Sequence, residues 1–288
     1  MANLLHRVAI WRSTSRMKFQ KWGARTMVRL AAFPGRRKLS GSEPIRILID
    51  NSVLRHGQTH TNAWIPGETV SSGGGIPVEL GHRARVPRNY EEKHKGIYEN
   101  EVPFFAPLAH LAECGCLEFF TSSELIAERR RQRNYNRFLF GMNLWSKTLI
   151  QTLPDLPRPA IGRRSIAPQL FQHYHSKEGP IERLLATADS DFIQIAEKIS
   201  RKNVLDFYHI WTAKHSNCQI FLTTDHTLKR ALASAPKTVQ KQLQPVRVLA
   251  PSELSEELGL RPVPHHFLTP LDADWFYEMR QAQMIPRK

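Results

Sequence analysis

Four acidic side chains in this sequence stand where carboxylates can do chemistry. Asp50 closes the apolar run Ile45-Arg46-Ile47-Leu48-Ile49, and Asp225 follows a second such run, Gln219-Ile220-Phe221-Leu222-Thr223. Asp206 lies near the start of a predicted helix over Val204–Ser216. A fourth acid comes from the segment beginning at Ser122, where Glu124 and Glu128 are four residues apart and share one helix face. Gathered carboxylates repel one another, and a hard divalent cation with oxygen ligands, Mg²⁺ or Mn²⁺, offsets that cost. Such an ion lowers the pKa of a bound water and polarises a phosphoryl oxygen. Thr223, two residues before Asp225, brings a hydroxyl able to orient a carboxylate or a water. Each residue has a simpler role to weigh against this one. Asp50 suits a turn, Asp225 a helix N-cap, and Asp206 the positive end of a helix dipole. Glu128 suits a surface pair with a nearby Arg. His209, three residues after Asp206, reads more readily as a satisfied, half-buried structural histidine than as an aid to catalysis or a phosphate contact.

These acids meet only if the chain builds a sheet that aligns them. The two runs before Asp50 and Asp225 are short and rich in β-branched or aromatic residues, as buried strands are. Leu117–Thr121 and Val246–Leu249 read the same way. Helices are predicted over Phe104–Cys114, from Ser122 towards Phe138, and over Ala167–His175, Asp191–Ser200, Val204–Ser216, Leu228–Ala235 and Ser252–Leu258. Ser122-Ser123 supplies the cap of the second of these. Strands alternating with helices predict a three-layer α/β fold, with a mainly parallel central sheet and helices on both faces. Carboxyl ends of parallel strands share one edge, so Asp50 and Asp225 should converge there. The predicted domain spans 43–260, with a polar insertion of little core over 56–103 that includes Gly73-Gly74-Gly75, and a C-terminal tail over 261–288.

Ile47-Leu48-Ile49-Asp50-Asn51-Ser52-Val53-Leu54 resembles the opening strand of PIN-domain nucleases. Thr121-Ser122-Ser123 through Glu128 resembles their strand–Ser–helix–Glu element. Leu205-Asp206, with Ala213 and His215, then Ile220-Phe221-Leu222-Thr223-Thr224-Asp225, is similar to their closing element. The resemblance covers roughly 45–55 and 104–260, and the chain departs from it in the long insertion after Asp50 and in the length of 134–200. It implies metal-dependent hydrolysis of phosphodiester bonds, RNA above all, leaving a 5′-phosphate and a 3′-hydroxyl. The implied site is Asp50, Glu128, Asp206 and Asp225 on Mg²⁺ or Mn²⁺, with Thr223 assisting. Two alternatives stand beside it: a nuclease acting on DNA, and a nucleic-acid-binding or assembly module of the same fold without catalysis. An inhibitor protein, an assembly partner or a homodimer would each suit the family.

Composition narrows the classes further. Lys and Arg number 41 against 26 Asp and Glu, a net charge of +15. Residues 1–42 hold ten of those bases and no acid. Such a segment reads as a basic N-terminal arm for nucleic acid or anionic membrane, as a mitochondrial transit peptide, or as an over-extended start with Met17 or Met27 as later ones. The protein is therefore expected in the cytoplasm, or in the mitochondrial matrix if 1–41 is a transit peptide. No run approaches the roughly 18–20 apolar residues a membrane span needs. Three cysteines cannot make a disulfide framework, and Cys114-x-Cys116 has no second pair to build a zinc site. Arg129, Arg130, Arg133 and Arg137 follow Glu128, and Lys229 and Arg230 follow Asp225, as candidate phosphate contacts. Tyr135 among them offers a face for a stacked base.

Overall fold

A computed structural model describes residues 22–58, 60–72, 76–87, 95–131, 144–145, 147–154, 180–264 and 267–268. Strand β1 (Ile45–Ile49) lies at the middle of a five-stranded sheet in which every neighbouring pair is parallel. It is flanked by β4 (Leu117–Thr121) on one side and β6 (Ile220–Leu222) on the other. The edges are β5 (Ile150–Thr152) beside β4 and β7 (Arg247–Leu249) beside β6. Ile47 is in register with Phe119 and with Ile220, so the three central strands end level.

Alternation along these strands produces the layers. Ile47, Ile49, Phe119, Ile220 and Leu222 belong to one buried cluster, and Leu48, Phe120 and Phe221 to another. The first cluster is covered by a helix over 22–38 (α1), α2 (Asn51–His56), α4 (Phe105–Glu113) and α11 (Pro251–Leu258). The second is covered by α5 (Ser123–Arg131), α6 (Pro180–Thr187), α7 (Ser190–Ala196), α8 (Val204–His215), α9 (His226–Ser234) and α10 (Lys237–Leu243). This is the three-layer α/β arrangement the sequence predicts. The chain fills β4 and β5 on one side of β1 before crossing to β6 and β7, which puts a topological switch point at β1, where clefts open in such sheets.

Three expectations are corrected. The basic segment is not an unpacked arm over its described part. Ala24, Val28, Ala31 and Ala32 of α1 are buried, and three of them join the first core cluster. Their spacing gives one narrow helical stripe of small residues, a weak signal within an arginine-rich segment. Gly35 completes the stripe: a Cβ there would meet Leu260 Cδ2 at 2.5 Å and the Leu258 carbonyl at 3.3 Å. The Arg261 amide donates to the Ala31 carbonyl at 3.1 Å, fixing α1 against the end of α11. The tail boundary also moves, because Val263 and Leu268 are buried in the same cluster.

The insertion holds regular structure instead of loop. Strands β2 (His60–Ser72) and β3 (Ile76–Pro87) form an antiparallel hairpin, irregular between Pro66 and Thr69, and α3 (Lys95–Asn100) follows. Its C-terminal end is core, with Val102 fully buried and Glu101 accepting from the Ser252 amide and hydroxyl, both at 2.8 Å. Gly73–Gly75, the predicted helix over Ala167–His175, and Arg133, Tyr135 and Arg137 lie outside the described residues.

Candidate active site

Asp50 leaves β1 at its carboxyl end, and its amide donates to the Leu222 carbonyl at 2.9 Å, so the residue still belongs to the ladder with β6. Its Oδ2 accepts from the Ser52 hydroxyl at 2.6 Å and from the Thr223 hydroxyl at 2.7 Å. Thr223 Oγ1 in turn accepts from the Asp225 amide at 3.0 Å, and Ser52 Oγ accepts from the Thr224 amide at 3.2 Å. Two hydroxyls thus stitch the end of β1 to the turn after β6. Burial pushes the Asp50 carboxyl above its ordinary range, against the pull of those hydrogen bonds.

Glu128 reaches the same place from α5. Ser122 caps that helix by accepting from the Leu125 amide at 3.2 Å. The buried Asn51 amide then spans the gap, donating to the Leu125 carbonyl at 2.7 Å and to Glu128 Oε2 at 3.1 Å. This link selects between the two glutamates. Glu128 is drawn beside Asp50, whereas Glu124, in the first turn, accepts from the exposed Ser123 hydroxyl at 3.1 Å. His209 Nε2 is 3.7 Å from Glu128 Oε2, a charge contact longer than a hydrogen bond.

Asp206 and His209 come from the first turns of α8. Burial raises the Asp206 carboxyl from 3.8 to about 6; His209 opposes this, while Asp50, Asp225 and Glu128 add to it. Burial alone would lower His209, but Glu128, then Asp50 and Asp206, outweigh it and raise the imidazole. The four acids and His209 therefore form one electrostatic cluster. Asp225 has the cap role as well: its Oδ1 accepts from the Thr227 amide at 2.7 Å and the Leu228 amide at 3.3 Å.

The donor set is all oxygen apart from His209, and after burial the neighbouring carboxylates help to raise Asp50 and Asp206, as they do where a hard cation would relieve them. That chemistry fits Mg²⁺ or Mn²⁺. Asp50, Glu128 and Asp225 are also held by protein donors, and among the described residues no group of three or more His, Cys, Asp or Glu side chains could hold a metal ion. The Asn51 Oδ1 and His209 Nδ1 atoms are buried with no hydrogen-bond partner.

The basic candidates are less uniform. Lys229 pairs with Glu253 of α11, so its charge is already met, and Glu253 is held below the usual carboxylate range despite its partial burial. Arg230 is exposed on α9 and Arg129 half-buried on α5, and Arg130 lies on the same helix. Asn51 and Ser52 are the residues that sequence reasoning passed over. Their signal was present as an amide and a hydroxyl directly after a strand-ending acid.

No family model, curated protein or solved structure matches the chain. The likeness to PIN-domain nucleases rests on the residues quoted above.

Proposed function

We propose that the chain is a PIN-like, Mg²⁺- or Mn²⁺-dependent ribonuclease, most directly an endonuclease on single-stranded or structured RNA. The observation that carries the reading is the meeting of Asp50, Glu128, Asp206 and Asp225, from four separate elements, at the carboxyl edge of the sheet. Asp50, Asp206, Asp225 and Glu128 would hold the ion. When bound, it would supply an activated water and a polarised phosphoryl oxygen. Ser52 and Thr223 hold the Asp50 carboxylate in one orientation, and Asn51 holds Glu128, so two of the four carboxylates are oriented by protein hydrogen bonds. Arg129 follows Glu128 on α5, Arg230 stands on the helix that Asp225 caps, and both would contact phosphates.

The second reading, a nucleic-acid-binding module without catalysis, draws on the cap bonds of Asp225 and on the ligand set not closing. One assay separates the readings. End-labelled RNA and DNA oligomers of one sequence are incubated with the full chain and Mg²⁺ or Mn²⁺, with EDTA and Asp50→Asn as controls. Internal RNA cuts that both controls abolish are expected. Cutting of DNA alone transfers the proposal to a DNA nuclease. Binding of RNA at equal affinity by both proteins, with no cutting under either metal, favours the module.

A further inference from the structure

Helix α1 buries its small residues and exposes its large ones. Ala24, Val28, Ala31, Ala32 and Gly35 face the core. Trp22, Leu30 and Phe33 are 64%, 61% and 62% exposed. Positions 22, 26, 29, 33 and 36 recur at helical spacing, so Trp22, Thr26, Arg29, Phe33 and Arg36 share the outer face. Arg25 and Arg37 border it, and no acid occurs before Glu43. Scattered exposed apolar residues need no explanation, but three of the four large exposed ones among the described residues fall on this one helix. A cavity of about 390 Å³ adjoins them, between α1 and α4, with Leu30 and Phe33 on its wall, His110 and Cys114 opposite, and Arg29 and Arg36 also lining it.

An aromatic and aliphatic face bordered by arginines, beside an apolar recess, has the chemistry of a helix lying at a lipid–water interface. Bases stacked on nucleic-acid sites would use the rings but not Leu30 or the recess. A membrane-crossing role has no support, since no helix among the described residues is long and apolar enough to span a bilayer. We propose that the outer face of α1 docks the protein on an anionic phospholipid surface. Trp22, Leu30 and Phe33 enter the headgroup–acyl boundary, an acyl chain or glycerol backbone reaches the recess, and Arg25, Arg29, Arg36 and Arg37 meet the phosphates. The proposal does not depend on the nuclease reading, because the residues share no member with the acidic site.

Co-sedimentation of the full chain with vesicles tests it, comparing pure phosphatidylcholine with an equimolar mixture of phosphatidylcholine and phosphatidylglycerol. Leu30→Ala with Phe33→Ala, and Arg29→Glu with Arg36→Glu, are the variants, with circular dichroism as the folding control. Wild type should partition onto the mixed vesicles and not onto the neutral ones. Each double variant should lower that partition at least about tenfold, one by losing basic contacts to the anionic headgroups and the other by losing apolar insertion. Three results would overturn the proposal: equal binding to both vesicles, anionic binding untouched by the apolar pair, or no vesicle binding with a self-association in sedimentation that Leu30→Ala with Phe33→Ala abolishes. Loss of RNA binding in the apolar variant, with vesicle binding retained, would assign the face to nucleic acid instead.

Discussion

Asn51 is the residue on which the choice of glutamate turns. Its amide ties Glu128, and not Glu124, to the end of β1. Glu128→Gln should therefore remove most metal-dependent cleavage with the fold intact. Glu124→Gln should keep activity and cost about 0.5 kcal/mol, through the weaker charge at the helix start. Asn51→Ala should lower cleavage and also cost about 1–2 kcal/mol, because the buried Leu125 carbonyl loses its donor. Parallel rate assays and urea melts on the three variants check the ranking, and an inactive Glu124→Gln beside an active Glu128→Gln would reverse it. Asp206 gives a second test at this scale. Its carboxyl moves from 3.8 up to about 6 on folding, so between about pH 4 and 6 the folded state holds a proton the unfolded chain has lost. Stability must then fall as pH rises through that window. Asp206→Asn should remove this slope and gain about 1–3 kcal/mol above pH 6 in EDTA-containing buffer. A flat difference between the two melting curves across pH 4–6 would show that the carboxyl is not shifted.

At the scale of elements, four of the five central-sheet strands were legible, and β5, the β2–β3 hairpin and the helix at the N-terminal end were not. Strand runs such as Ile45–Ile49 and Leu117–Thr121 declare themselves by apolar, β-branched or aromatic residues interrupted only by Arg46 and Glu118, because most of a central parallel strand is buried on both faces. Helix α1 buries mainly Ala, Val and Gly, whose burial adds little hydrophobicity to a segment crowded with arginine. Strand β5 has three residues on a sheet edge, only Ile150 of them apolar, which is too little pattern for sequence reading. Since α1 is core, removing 1–41 should do more than strip charge. It deletes five buried residues and uncovers Leu111 and Leu260 around Gly35, so a fall in thermal midpoint of well over 10 °C, or failure to fold, is expected. Gly35→Ala is the milder probe. The added methyl overlaps Leu260 and approaches the Leu258 carbonyl, so a loss of about 1–3 kcal/mol in a denaturant melt is expected. No loss would mean that α1 does not approach α11 this closely.

For the whole molecule, the candidate site exists only because distant segments are brought level by the sheet. Asp50 and Asp225 are 175 positions apart in sequence, yet the hydroxyl of Thr223 touches both, since β1 and β6 pair in parallel and end together. The sequence made the acids visible one by one, through strand ends and helix starts. It offered Thr223 as a hydroxyl able to orient a carboxylate but did not reveal the stitching by Asn51 and Ser52, because hydrogen bonds across a sheet edge leave no periodic signal. The same assembly predicts how a cation acts on global stability. An ion bound by carboxylates from β1, α5, α8 and the turn after β6 binds only the folded chain, so it must raise the unfolding free energy by mass action. At a hundredfold excess of Mn²⁺ over its dissociation constant the gain is about 2.7 kcal/mol. It should be larger than Mn²⁺ confers on Asp50→Asn or Asp225→Asn, both of which remove one proposed ligand while keeping a polar side chain for the Ser52, Thr223 or cap bonds. Thermal melts of the three proteins across a Mn²⁺ titration, each begun from EDTA-treated protein, measure this directly. Equal stabilisation of all three would place the ion elsewhere and remove the support for Asp50 and Asp225 as its ligands.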